Sequence, residues 1–327
     1  MKQNKNIKVI KKKIGLFSPA DFVEKAKIAK AISRLSSSIE NIEFITPPNL
    51  LKKHGLFAGT DKEKIADFVY IEKQNPDIML GVKGGYGSAR LIDKIDFKKI
   101  SRSPIMGYSD LTSLIIADNS ETGKINYYGF LLVPDFYEKT YNRQIKLFEK
   151  ILKKTNLNYE FNCEIIKTPT SGLKSVKAEI SIAGCLSILS GMLGTKYFRQ
   201  IEKSNVMFIE DIKEEPYRID RLITHLKNGG AFENTKCLFI DFNKCVSSEK
   251  NKGSISIKRS ILEILEKYDF PVVDLPYFGH RKNKIVIPVG AKIKIDFIFP
   301  SEISDKKKVP VKMFFNSDYA RRHFSNS

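Results

Sequence analysis

Residues 104 to 110, Pro-Ile-Met-Gly-Tyr-Ser-Asp, set a serine between a short apolar run and a helical pattern that opens at Asp110 and Leu111. A strand-to-helix turn exposes such a hydroxyl, and the free N–H groups and dipole at a helix start can stabilise a developing oxyanion. Ser109 is therefore the candidate nucleophile, although serine there is also an ordinary helix N-cap. Upstream, Asp77-Ile-Met-Leu-Gly-Val-Lys83 reads as a buried strand that empties into Gly84-Gly85-Tyr86-Gly87-Ser88, ahead of the helical pattern Ala89-Arg90-Leu91-Ile92. Glycines let bare backbone N–H groups approach a ligand. Their spacing fits neither G-x-G-x-x-G nor a P-loop, and an oxyanion hole suits it better.

Downstream, the apolar run Asn205-Val-Met-Phe-Ile209 ends in Glu210-Asp211, then Pro216-Tyr-Arg-Ile-Asp-Arg221 and a helix closed by Gly229-Gly230. A carboxylate at a strand end is well placed to orient an imidazole. Glu210 and Asp211 are both open to that role, with Glu214 and Glu215 close behind. The candidate imidazole is His280, in Leu275-Pro-Tyr-Phe-Gly-His-Arg281, just before the alternating run Lys284-Ile-Val-Ile-Pro288. The chain order Ser, Glu, His is that of α/β-hydrolases, but Gly-Tyr-Ser-Asp lacks their second glycine, so a different fold must present the same roles. Arg218 and Arg221 sit at a helix start, where such a pair is more often structural than substrate-binding.

These segments, with Leu16-Phe-Ser-Pro-Ala20, resemble the LD-carboxypeptidase family, which includes murein tetrapeptide carboxypeptidases and microcin C self-immunity proteins. The resemblance runs in order along nearly the whole chain. It implies a serine-type peptidase with Ser109, Glu210 and His280 as its triad. Backbone N–H groups of Gly85 and Asp110 would form the oxyanion hole. Lys83, Tyr86 and Tyr108 are candidate substrate contacts, the tyrosines being equally able to pack beneath the loops. The family usually has arginine at position 83; lysine keeps the charge but loses the bidentate fork. The substrate implied is a small murein tetrapeptide that loses its terminal D-alanine in peptidoglycan recycling, with a microcin-type peptidyl-nucleotide as the alternative. A homodimer is expected. A non-catalytic module holding an anion in the glycine loop is the alternative from another class, and the intact triad residue types argue against it.

The net charge of +19 invites a nucleic-acid reading. The 56 basic residues include only 11 arginines, and the lysines are spread along the chain without an aromatic-interleaved stripe. No specific nucleic-acid partner is expected. Cys163, Cys185, Cys237 and Cys245 form no C-x-x-C pair and read as reduced core residues. His54, His225, His280 and His323 lack metal-ligand spacing, so neither metal nor other cofactor is expected. The charged start from Lys2 to Lys13 is unlike a signal peptide, and no apolar run approaches the roughly eighteen residues of a membrane span. A cytoplasmic protein without membrane association is expected.

The elements that must position these residues alternate. A strand at Lys12 to Phe17, a helix from Asp21 to about Leu35, a strand from Ile42 to Thr46 and a helix opened by the capping box Thr60-x-x-Glu63 precede the two strand-and-turn units; a strand at Ile125 to Tyr128 follows. This βαβ rhythm predicts an α/β fold with a mostly parallel sheet and a ligand at the carboxyl ends of its strands. Domain one is expected over 1–155, a polar linker over 156–177 and domain two over 178–327. In the second, Ser181 to Gly194 reads as an apolar helix, followed by helices at Tyr217 to Asn228 and Ser256 to Tyr268. The resemblance implies that the first domain is flavodoxin-like and the second a smaller barrel-like α/β domain, with the triad across their cleft.

Overall fold

The computed structural model describes residues 11–138, 142–173, 175–245, 255–298 and 308–316. The charged start before residue 11 and His323 lie outside them. The first sheet is built from β1 (Lys12–Phe17), β2 (Ile42–Ile45), β3 (Ile78–Gly81), β4 (Ile105–Gly107) and β5 (Asn126–Tyr128), all parallel and in the order β2-β1-β3-β4-β5. That is the flavodoxin-like order, whose strand ends form a ligand crevice near the β1/β3 switch point. Residues of β3 are buried throughout, as a strand covered on both faces requires. Helices Lys25–Ser38 and Asp61–Lys73 connect the first strands; the second carries the expected Thr60/Glu63 capping box.

The second sheet contains β6 (Leu157–Lys167), β7 (Val176–Ala178), β8 (Ser181–Cys185), β9 (Val206–Ile212), β10 (Cys237–Lys244), β11 (Val272–Asp274), β13 (Lys292–Phe297) and β14 (Lys308–Asn316). The remaining strand, β12 (Ile287–Val289), joins the first sheet antiparallel to β5. The order of the second sheet is β7-β13-β14-β6-β11-β10-β9-β8. Its edge strands β7 and β8 are consecutive in the chain with only Glu179 and Ile180 between them, so the sheet must curl to bring its edges together. This is the barrel-like character of the second half. The fold is thus α/β with two sheets, sharing a continuous apolar core.

Two expectations about local structure change. The segment expected as a polar linker holds β6, an eleven-residue strand between β14 and β11. Leu157, Phe161 and Cys163 point inward while Asn158, Glu160 and Asn162 point out, so its polar composition is that of a half-solvated antiparallel strand. The expected helix 181–194 is instead β8 followed by the short helix Leu186–Gly191. From the second half of the chain, β12 returns to pair with β5 of the first sheet. Cys163, Cys185 and Cys237 are buried and Cys245 half-buried, all free thiols; burial pushes Cys163 and Cys245 up to about 12, out of the reactive range. No helix among the described residues is long and apolar enough to cross a membrane.

Candidate active site

Ser109 follows β4 through Gly107 and extended Tyr108, and opens a 3-10 turn, Ser109–Leu111, that runs into the helix Thr112–Thr122. Its φ of +62° is left-handed, a conformation a non-glycine residue holds only where its surroundings enforce it. Two bonds do so. The Ser109 N–H donates to the Tyr128 hydroxyl at 3.2 Å, and Thr112 Oγ1 donates to the Ser109 carbonyl at 2.6 Å. Thr112 Oγ1 in turn accepts from the N–H of Cys185 at the end of β8, tying the turn to the second sheet.

Glu210 lies on β9 and is only 1% exposed. Its carboxylate accepts from His280 Nδ1 at 2.8 and 3.0 Å and from the Tyr128 hydroxyl at 2.6 Å. Because a carboxylate only accepts, Nδ1 carries a proton, which in the neutral ring makes Nε2 the acceptor. Asp211, one residue on, faces the other way and accepts from the N–H groups of Ser187 and Ile212, so it does not serve the imidazole. Lys244 donates to the His280 carbonyl and Arg281 forms a bidentate pair with Asp241, fixing the histidine loop to β10 on both sides. Gly279 adopts φ +61°, and a Cβ there would stand 2.3 Å from Glu210 Cδ. His225 is elsewhere, bonded to Ser190.

Tyr128 therefore links Ser109 to Glu210, while among the described residues no hydrogen bond joins Ser109 Oγ to His280. Bonds of that kind commonly tighten only when substrate is held. The glycine loop borders Ser109, since a Cβ on Gly84 would stand 3.2 Å from Ser109 Oγ and 3.8 Å from the Asp110 N–H. Lys83 is engaged with Asp21 at 3.1 Å. Tyr86 is 55% exposed beside Phe57, whereas Tyr108 is buried with its ring edge-to-face on His280 at 5.0 Å. Behind Tyr108, the buried Lys284 ammonium sits 3.6 Å from the ring centre and pairs with buried Asp135 at 2.8 Å. A separate cavity of about 230 Å³ opens at the amino ends of β3, β4 and β5; Ser109 and His280 do not line it. Among the described residues no cluster of three or more His, Cys, Asp or Glu could hold a metal.

Sequence reasoning missed Tyr128, Asp21 and the Lys284–Asp135 pair. Tyr128 had a signal in its place at the carboxyl end of a parallel strand, where ligands gather in such sheets. Asp21 had the same signal four residues past β1.

A doubly wound sheet joined to a curled second sheet, with a positive-φ serine turn tied through Tyr128 to a buried carboxylate–imidazole pair, defines a class of two-sheet α/β proteins. The profile described as the LD-carboxypeptidase N-terminal domain matches residues 14–129, and that of the C-terminal domain matches residues 180–295. The chain belongs to the LD-carboxypeptidase family. It is 30% identical to a probable murein peptide carboxypeptidase of Bacillus subtilis, over 85% of this chain and 87% of that one. It is 28% identical to the microcin C7 self-immunity protein MccF of Escherichia coli, over 73% and 77%. The crystal structure of muramoyltetrapeptide carboxypeptidase from Oxalobacter formigenes shares the fold with a TM-score of 0.75 at 23% identity, over 92% of this chain and 98% of that one. These relationships support a carboxypeptidase role, and with it a hydrolase.

Proposed function

We propose that the protein is a serine-type LD-carboxypeptidase that removes the terminal D-alanine from murein tetrapeptides. Ser109 attacks the carbonyl, His280 takes its proton and returns it to the leaving amine, and Glu210 holds the imidazole. The N–H groups of Gly85 and Asp110 receive the oxyanion. The observation that carries this reading is the Glu210–His280 pair coupled through Tyr128 to a serine held at positive φ. In this reading residues 1–155 carry the nucleophile and residues 178–327 carry the glutamate and the histidine. The enzyme works on a small peptide as a cytoplasmic homodimer, in wall recycling, with neither membrane, nucleic acid nor cofactor.

The test is incubation with the tetrapeptide and mass spectrometry of the products. Only D-alanine should be lost. Ser109→Ala and His280→Ala should each cost on the order of 10⁵ to 10⁶ in rate, Glu210→Ala less. A peptide ending in L-alanine and the amidated tetrapeptide should be cut at least about tenfold more slowly, about 1.4 kcal/mol of discrimination. Equal rates on all three would reduce the protein to a generic hydrolase. The second reading, a peptidyl-nucleotide substrate, draws on the likeness to MccF, whose structures include complexes with aspartyl sulfamoyl adenosine and glutamyl sulfamoyl guanosine. Faster cleavage of an aspartyl sulfamoyl nucleoside than of the tetrapeptide would reverse the order.

A further inference from the structure

Loop 84–88 leaves a run of backbone N–H groups at the edge of the first sheet, and two carboxylates take up those at its far end. Asp21, just past β1, accepts from the Tyr86 N–H at 3.1 Å through one oxygen and from Lys83 at 3.1 Å through the other. It lies so close under the loop that a Cβ on Gly85, whose φ is +116°, would stand 2.1 Å from its carboxyl carbon. Asp110 accepts from the Ser88 N–H at 2.7 Å, and the Gly87 N–H acts on the same carboxylate. Among the described residues neither the Gly84 nor the Gly85 N–H donates a hydrogen bond, and Gly84 borders Ser109.

We propose that Asp21 and Asp110 are positioning residues that clamp the glycine loop from its two sides, so that the N–H groups of Gly84 and Gly85 are left free and that of Gly85 faces the reacting carbonyl. This rests on the oxyanion assignment made above. Asp110 then acts twice: its own N–H is one donor, and its carboxylate fixes the loop that carries the other.

Two carboxylates beside a developing oxyanion would repel it unless their charge were offset, and two lysines lie close enough to do so. Lys83 pairs directly with Asp21. Lys64 is only 2% exposed and its ammonium has no hydrogen-bond partner among the described residues. It lies 4.7 Å over the Phe57 ring, and a Cβ on Gly87 would stand 3.2 Å from it. Burial, the largest effect, lowers its pKa; the charges of Asp61, Asp110 and Asp21 oppose that and Arg90 adds to it. A buried ammonium without hydrogen bonds is tolerated only where nearby anions compensate it. In this reading the cation at position 83 serves the loop through Asp21.

The test uses the full chain with Asp21→Ala, Asp21→Asn, Asp110→Asn and Lys83→Arg. Turnover of the tetrapeptide is measured together with inhibition by a peptide boronate, which forms a tetrahedral adduct on a serine. Binding of intact tetrapeptide is measured in the Ser109→Ala background. Asp21→Ala should lower kcat about 30- to 100-fold, weaken the boronate by a similar factor, and change KM and ground-state binding less than about threefold. Asp21→Asn, which still offers an acceptor to Tyr86, and Lys83→Arg should each recover most of the rate. Asp110→Asn should behave as a milder Asp21→Ala. If Asp21→Ala raises KM while kcat holds, or weakens substrate and boronate alike, the clamp is overturned and the triad stands. If the wild-type enzyme turns over independently of Ser109, the site assignment fails first and the clamp with it.

Discussion

Removing one oxygen atom, by Tyr128→Phe, tests whether the Ser109 turn and the buried carboxylate work as a unit. Tyr128 is fully buried, and burial followed by the neighbouring Glu210 charge pushes its hydroxyl well above the usual tyrosine range, so it stays protonated. Its single proton goes to Glu210 at 2.6 Å, and its oxygen receives the Ser109 N–H. The substitution deletes a bond to a charged acceptor, a loss of about 1.5–3 kcal/mol, and orphans an N–H in a strained turn, about 1 kcal/mol more. The ring itself remains in its edge contact with Tyr108, so little cavity forms. Stability should fall by about 2–4 kcal/mol in denaturant unfolding. Glu210 keeps only His280, and Ser109 loses one of its two backbone tethers. Misplacement by about 1 Å costs on the order of 10² in rate, so kcat/KM should fall about 30- to 100-fold, or 2–2.7 kcal/mol. A variant with unchanged unfolding and turnover within about twofold of wild type would refute the argument that Tyr128 couples the two halves of the site.

Lys284→Met strips one partner from a buried ion pair and should cost about 3–5 kcal/mol of stability in urea unfolding, with the double variant Lys284→Met/Asp135→Leu recovering most of it; an additive double variant would show that the pair is not coupled. Gly279→Ala should lower kcat about a hundredfold, because its methyl would enter Glu210 and push the carboxylate from His280; near-normal turnover would mean that the loop yields freely. Burial holds the Glu72 carboxyl above its ordinary range while it accepts from Ser103. Its folded pKa is raised, so its favourable contribution is complete below the ordinary value of 4.5 and is lost as pH rises through the folded value. Glu72→Gln should therefore gain melting temperature relative to wild type at neutral pH, a gain that shrinks on acidification; a pH-independent difference would contradict the assignment.

The sequence by itself determined the parts whose signal is local. Continuous apolar runs ending in glycine or in Glu210-Asp211 marked β3, β4 and β9, because strands buried on both faces have nowhere to place polar side chains. The Thr60/Glu63 capping box was legible because both partners lie within one helical turn. Ser109, Glu210 and His280 stood out through the company each keeps in sequence. Periodicity could not say whether 181–185 was helix or strand, since a short segment buried on every side shows no period. Nor could it separate β6 from a linker, because a strand with one wet face is half polar.

Only the tertiary structure decided which of two adjacent carboxylates meets the imidazole. Side chains of neighbouring strand residues point to opposite faces, so Glu210 reaches His280 while Asp211 reaches Ser187. It also decided that Tyr128, 82 residues from Glu210, should bridge two sheets, and that Asp21, 65 residues from Tyr86, should hold the glycine loop. Such contacts depend on the crossing of elements far apart in the chain, and no local pattern encodes the angle at which they meet.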